Sequence, residues 1–272
     1  MRRLFLLFTF CSLALQSFAF TAGDLFIQNS RFWQNIVSLG VLDNDNLSTG
    51  LVFDITEHND IKDKIYAVRI PFMLKFSMLN LEITPFWYPD TNNAYSYGGS
   101  MKLEGLIRSD DINNIYAGGY LKAGFANQKA YIPQNTENFK QLAFEGGVNF
   151  NFANLYSFNV NGNVFTYPDG TSFVGIMNQN EIADLGTIDY VLSLPRFSAG
   201  GGITWISREN NTKTSLSYKY INYEHNLIAH SLMLRTTISV TERLLATLIY
   251  NHVFESEHTN KDLFGVGLNY LF

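Results

Sequence analysis

The sequence predicts an all-β fold: a closed, antiparallel β-barrel whose strands cross a membrane. Three observations predict it. The dominant hydrophobic period is two, with apolar residues at alternate positions in one stretch after another. Charged residues make up only 16% of the 272 and aromatics reach 15%, a balance unlike that of an ordinary water-exposed surface. The apolar 46% is spread along the chain, and no internal run approaches the ~20 apolar residues of a membrane helix. Closure follows from the solvent: strands facing hydrocarbon cannot leave backbone N–H and C=O groups unpaired, so the sheet must have no edge. A soluble β-sandwich is the competing arrangement, but it buries one face of each sheet and has no use for a wide apolar strip on every strand.

In chain order, residues 1–19 read as a secretory signal peptide. Arg2 and Arg3 precede the apolar stretch 4–15, and small residues surround a cut after Ala19, with a second site after Ala22. An uncleaved anchor is the alternative, and the shortness of the apolar run argues against it. Cys11, the only cysteine, lies in this segment, so a mature chain is expected to have neither disulfide nor thiol chemistry. Loss of Arg2 and Arg3 lowers the basic residues from 19 to 17, against 24 acidic ones, and a net-negative chain is not expected to bind nucleic acid.

Residues 20–47 form an N-terminal segment that stands outside the alternation. Within 24–42, Phe32, Trp33, Ile36, Val37 and Leu39 fall at helical spacing, with Ser30 as a cap and Gly40 as a stop. The expectation is a short helix that plugs the lumen or lies at the membrane surface, or else an extra strand.

Residues 48–272 then supply twelve strands: 48–56, 66–78, 79–88, 96–108, 115–125, 139–152, 155–167, 196–207, 212–221, 227–240, 244–254 and 262–272. The clearest is 67–78, where Val68, Ile70, Phe72, Leu74, Phe76 and Met78 share one face, enough to cross a bilayer on a tilt. Pro71 and Pro85 lack a ladder donor and call for bulges. Very short connections alternate with longer ones, as in barrels with short turns at one rim and long loops at the other. The longest connection, 168–195, either constricts the lumen or adds a strand pair. Twelve strands is the main expectation, with ten or fourteen as alternatives.

The last strand reads LFGVGLNYLF, with Phe264, Val266, Leu268, Tyr270 and Phe272 on one face. With the leader and the turn pattern, this ending resembles that of bacterial outer-membrane β-barrel proteins. The resemblance implies an outer-membrane location with both termini periplasmic, outer-membrane lipid around the wall, and recognition of the final strand by the barrel-assembly machinery.

Register places Asp54, Arg69, Lys75, Glu82, Lys102, Glu104, Arg108, Lys122 and Glu145 inside the first half of the barrel. Cross-strand pairing puts Asp54 near Arg69, Lys75 near Glu82 and Glu82 near Lys102, and Asp54, Arg69, Lys75 and Glu82 read as a structural ion-pair network. In the second half Arg196, Lys219 and Arg235 point inward among Ser, Thr and Asn. Rings of Arg and Lys favour anions, so the expectation is a narrow channel for small polar solutes with a mild anion preference. A lumen blocked by its own side chains, acting as an anchor or adhesin through its loops, is one alternative. The acidic outer loops, such as Asp60, Asp63, Glu255 and Asp262, suit a solvated rim or divalent bridges to anionic lipid such as lipopolysaccharide.

The other alternative is an outer-leaflet lipid hydrolase. His230 and His252 are the only catalytic candidates on strands, but Ser231 follows His230 directly and therefore points to the opposite face. No cofactor or metal is expected: there is no Gly-rich phosphate loop and no paired Cys or His spacing.

Overall fold

The computed structural model describes residues 21–30, 32–58, 64–89, 94–108, 115–132, 135–153, 155–168, 194–207, 211–223, 227–256 and 260–272. Every element among them is a strand: β1 (Thr21–Gln28), β2 (Phe32–Asp43), β3 (Leu47–His58), β4 (Ile65–Arg69), β5 (Phe72–Lys75), β6 (Leu79–Tyr88), β7 (Ala94–Arg108), β8 (Tyr116–Ile132), β9 (Asn135–Phe152), β10 (Tyr156–Thr166), β11 (Pro195–Ser207), β12 (Thr212–Tyr223), β13 (Ile228–Ser239), β14 (Leu244–Glu255) and β15 (Lys261–Leu271). Apart from β4 and β5, which both pair with β3 and β6, each pairs antiparallel with its chain neighbour, and β1 pairs with β15, so the sheet closes on itself.

Segments β4 and β5 are one stave. Their register against β3 and against β6 runs straight through the break at Ile70–Pro71. The barrel therefore has fourteen staves among the described residues. The two prolines share a single defect: Ile70 N–H donates to the Pro85 carbonyl at 3.1 Å, and Gly50 N–H to the Pro71 carbonyl at 3.2 Å. Placing both donorless residues at one point confines the ladder damage to one gap.

Two expectations about secondary structure are corrected. Residues 24–42 are not a helix or plug: 24–28 lie in β1 and 32–42 in β2, which agrees with the alternative of added strand and brings the stave count to the alternative of fourteen rather than the main expectation of twelve. The connection expected at 126–138 is mostly strand, because β8 and β9 continue in register to Ile132 and Asn135. The segment 168–195, apart from its ends, lies outside the described residues.

One face of the wall is an apolar belt. Phe72, Phe76, Met78, Leu121, Val160, Leu248 and Val266 are all exposed, and comparable side chains occur on every stave from β3 to β15. No soluble protein presents such a surface to water; its solvent is hydrocarbon.

The other face is layered. The end carrying Thr21 and Leu271 is called the terminal end below. Toward the opposite, far end, two groups of apolar side chains face the lumen and are buried. One is Ala67, Phe86, Tyr88, Ala126, Ala143 and Phe165; the other is Ile27, Ile221, Tyr223, Ala229, Val253 and Leu263. Between them a polar seam holds Asp54, which accepts from Gln34 Nε2 at 2.5 Å and lies 3.7 Å from Arg69 Nη2.

Among the turns at the terminal end, Ala153 has φ 51°, a left-handed conformation that disfavours any Cβ. Ala153→Gly is expected to stabilise the barrel by about 0.5–1 kcal/mol, read as a rise in the urea midpoint of unfolding; a fall would show that the methyl contributes contacts worth more than the strain.

Candidate functional site

Alternation along β12 sends Lys213, Ser215, Ser217 and Lys219 to the lumen side, and along β13 Ser231, Met233, Arg235 and Thr237. Register sets Lys213 across from Thr237, Ser215 across from Arg235, and Lys219 across from Ser231. With Thr204, Thr247, Asn159, Asn161 and Asn269 they line a cavity of about 520 Å³ in the terminal half. Hydroxyl and amide groups make up about half of the lining, with Ile203, Met233 and Leu245 beside them; three cations rise along it, and among the described residues none that lines it is acidic.

A second cavity of about 380 Å³ lies against the first half of the wall, lined by Glu82, Lys102, Tyr120, Lys122, Glu145 and Asn149, and it shares Asn159 and Asn161 with the first. Here charges are mixed. Lys102 Nζ is 3.0 Å from Glu104 Oε2 and 4.7 Å from the centre of the Tyr120 ring. Tyr120 donates its hydroxyl to Glu145 Oε1 at 2.5 Å. The ring lies so close over Gly147 that a Cβ there would meet it at 2.5 Å, so only glycine lets Tyr120 lie flat on the wall. Lys122 stands across from Glu145 on β9 and from Lys102 on β7.

Two of the site residues expected from sequence, Arg196 and Lys75, sit differently. Arg196 is the extra residue of a bulge between Pro195 and Phe197; it is exposed and does not line the cavity. A bulge inserts a residue, so parity counted back from Ser198 fails across it. Lys75 does not pair with Glu82. The tip of the turn is Ser77–Met78, Lys75 stands across from Asn80, and its ammonium meets Asp43 and the Asn44 carbonyl. Glu82 instead accepts from Thr84 at 3.0 Å and faces Lys102 in register. Arg108 closes β7, and its side chain lies outside the described part. Lys213, one residue into β12, was missed although it shares the parity of Lys219 and lies within the expected strand 212–221.

His230 and His252 face outward on the belt side, near the far end. His252 Nδ1 is 2.6 Å from Asp262 Oδ1, which also accepts from the Tyr250 hydroxyl at 2.7 Å. His230 Nδ1 is 2.6 Å from the Tyr218 hydroxyl. Ser231 points the other way and donates to Asn251 at 2.8 Å, so the wall itself separates it from both imidazoles. Nucleophilic chemistry needs the hydroxyl and the base within reach of each other, and this arrangement keeps them apart.

No protein-family model matches the sequence, and no curated protein does. Solved structures do match in shape. The CymD monoaromatic hydrocarbon channel aligns with 93% of this chain and 87% of its own, at TM-score 0.54 and 9% identity. OccAB1 of Acinetobacter baumannii aligns with 92% and 94%, at 0.52 and 8%. A KdgM porin in complex with disordered oligogalacturonate aligns with 93% and 99%, at 0.44 and 9%. With its closed antiparallel ring, lipid-type belt and interior cavities lined by polar and charged side chains, the chain has the fold of the bacterial outer-membrane β-barrel proteins.

Proposed function

We propose that the protein is an outer-membrane channel for small polar solutes with a mild preference for anions, its termini on the periplasmic side. The observation that carries this reading is the 520 Å³ cavity: three cations, a lining rich in hydroxyls and amides, and no acidic lining residue among the described residues. Water fills such a space, and its fixed positive charge raises the local concentration of anions. In this reading the leader 1–19 delivers the chain across the inner membrane, and the strand ending in Phe272 is read by the assembly machinery.

The purified, refolded protein in a planar bilayer is expected to give small conductance steps whose reversal potential in a salt gradient leans toward anions. Heat-modifiable migration on a gel would establish that the barrel is folded. A folded barrel that leaves the bilayer silent would remove the channel reading, and a lean toward cations would remove the anion preference while leaving the channel.

A further inference from the structure

The cationic cavity occupies only the terminal half of the lumen. Toward the far end, the lumen-facing positions change character on both walls. Along β12 they run Ser215, Ser217, Lys219 and then Ile221; along β14, Thr247 gives way to Ile249 and, past Asn251, to Val253. On the opposite wall Phe86 and Phe165 belong to a second apolar group toward the far end. Ile221, Val253 and Leu263 are 0% exposed and pack with Ile27 and Ala229, so on this wall the far end is closed by apolar contacts that a solute must part to pass. A hydrated inorganic ion pays a dehydration cost to pass such a layer. An apolar group pays none, because it exchanges one apolar contact for another.

We propose that the solutes this barrel carries are organic anions with an apolar body: the body is received by the apolar layer, and the charged head by Lys213, Lys219 and Arg235. The proposal rests on the channel reading and narrows its solute class. It differs from simple size filtering, which favours the smaller of two anions whatever its surface. The two halves also define an order: at the level of Lys219 and Ser231 a head reaches the first cation while the body still lies among Ile221, Ala229 and Val253.

The test compares two permanently ionised sulfonates, benzenesulfonate and isethionate, entering proteoliposomes, with lipid-only vesicles as the baseline. They share the anionic head; isethionate is smaller and hydroxylated, benzenesulfonate larger and apolar. Benzenesulfonate is expected to enter roughly fivefold faster, from the apolar area it can bury on the way. The variant Ile221→Ser/Val253→Ser/Leu263→Ser is expected to abolish that preference and speed isethionate. If the triple variant fails to show heat-modifiable folding, the near-isosteric pair Ile221→Thr/Val253→Thr replaces it, with a reduced preference expected. Isethionate entering as fast as benzenesulfonate in the wild type overturns the proposal and leaves the channel reading intact. A preference that survives in the folded variant overturns the role of the layer. Entry of neither anion through folded barrels overturns the channel reading, and this proposal with it.

Discussion

Replacing Asp54 by leucine is expected to cost the barrel about 3–5 kcal/mol of stability. Its carboxylate is only 3% exposed and accepts from Gln34 Nε2 at 2.5 Å and from Thr56 Oγ1 at 3.2 Å, with Arg69 Nη2 at 3.7 Å. Leucine fills similar space but takes the carboxylate away from a guanidinium whose side chain is 19% exposed, and the acceptor away from Gln34. Removing one member of a buried pair costs more than the pair itself contributes, since the remaining charge stays desolvated. Asp54→Asn keeps the shape and one acceptor, and is expected to cost about 1–2 kcal/mol. Urea unfolding of the refolded barrel, followed by tryptophan fluorescence, measures both. Midpoints equal to the wild type in the two variants would show that the seam adds no net stability.

Converting Lys213, Lys219 and Arg235 together to glutamine is expected to lower the anion-to-cation permeability ratio about threefold, toward unity. The three lie along one wall of a cavity that no acidic residue lines among the described residues, so their removal is expected to leave a neutral, still hydrated path. Screening makes the effect depend on salt: with a Debye length near 10 Å at 0.1 M, the shift is larger in dilute salt than at 1 M. Arg196→Gln is the control. That side chain sits on a bulge away from the cavity, and its loss is expected to leave the reversal potential unchanged. An unchanged ratio in the triple variant, or an equal fall in the control, would assign selectivity elsewhere.

Much of this arrangement was legible in the residues, for a local reason. A strand with one face in lipid must alternate, and alternation survives any error in its ends. All twelve stretches read from period two between residues 48 and 272 are staves of the wall. The polar lining of β12 and β13 follows from the same parity, as does the outward direction of His230 and His252. Where local signals were weak, the reading drifted. In the β8–β9 hairpin the run NQKAYIPQNTEN has no apolar face, yet it stays paired in register to Ile132 and Asn135. Lys75 took a different partner because the tip of the turn is Ser77–Met78, closed by Phe76 and Leu79, one residue earlier than a turn at the 78/79 junction, which shifts the partner by two positions. Neither a turn length nor the bulge at Arg196 has a signature in the alternation itself.

What the sequence determined alone was the solvent: hydrocarbon on one face of a closed sheet, water or side chains on the other. That follows from composition and period, which are properties of single strands. What only the tertiary structure decided was the closure and the layering of the interior. β1 and β2 mix polarity on both faces, with Leu25, Ile27 and Ile36 on the lumen side and Asp24 and Asn35 on the other, so no period marks them as strands. They are strands because β15 and β3 would otherwise end as unpaired edges in lipid. The apolar layer above the cationic cavity likewise exists only because closure brings β4, β6, β8, β9 and β10 opposite β1 and β12 through β15. Which residues meet across a lumen is set by the whole ring, and no single strand contains it.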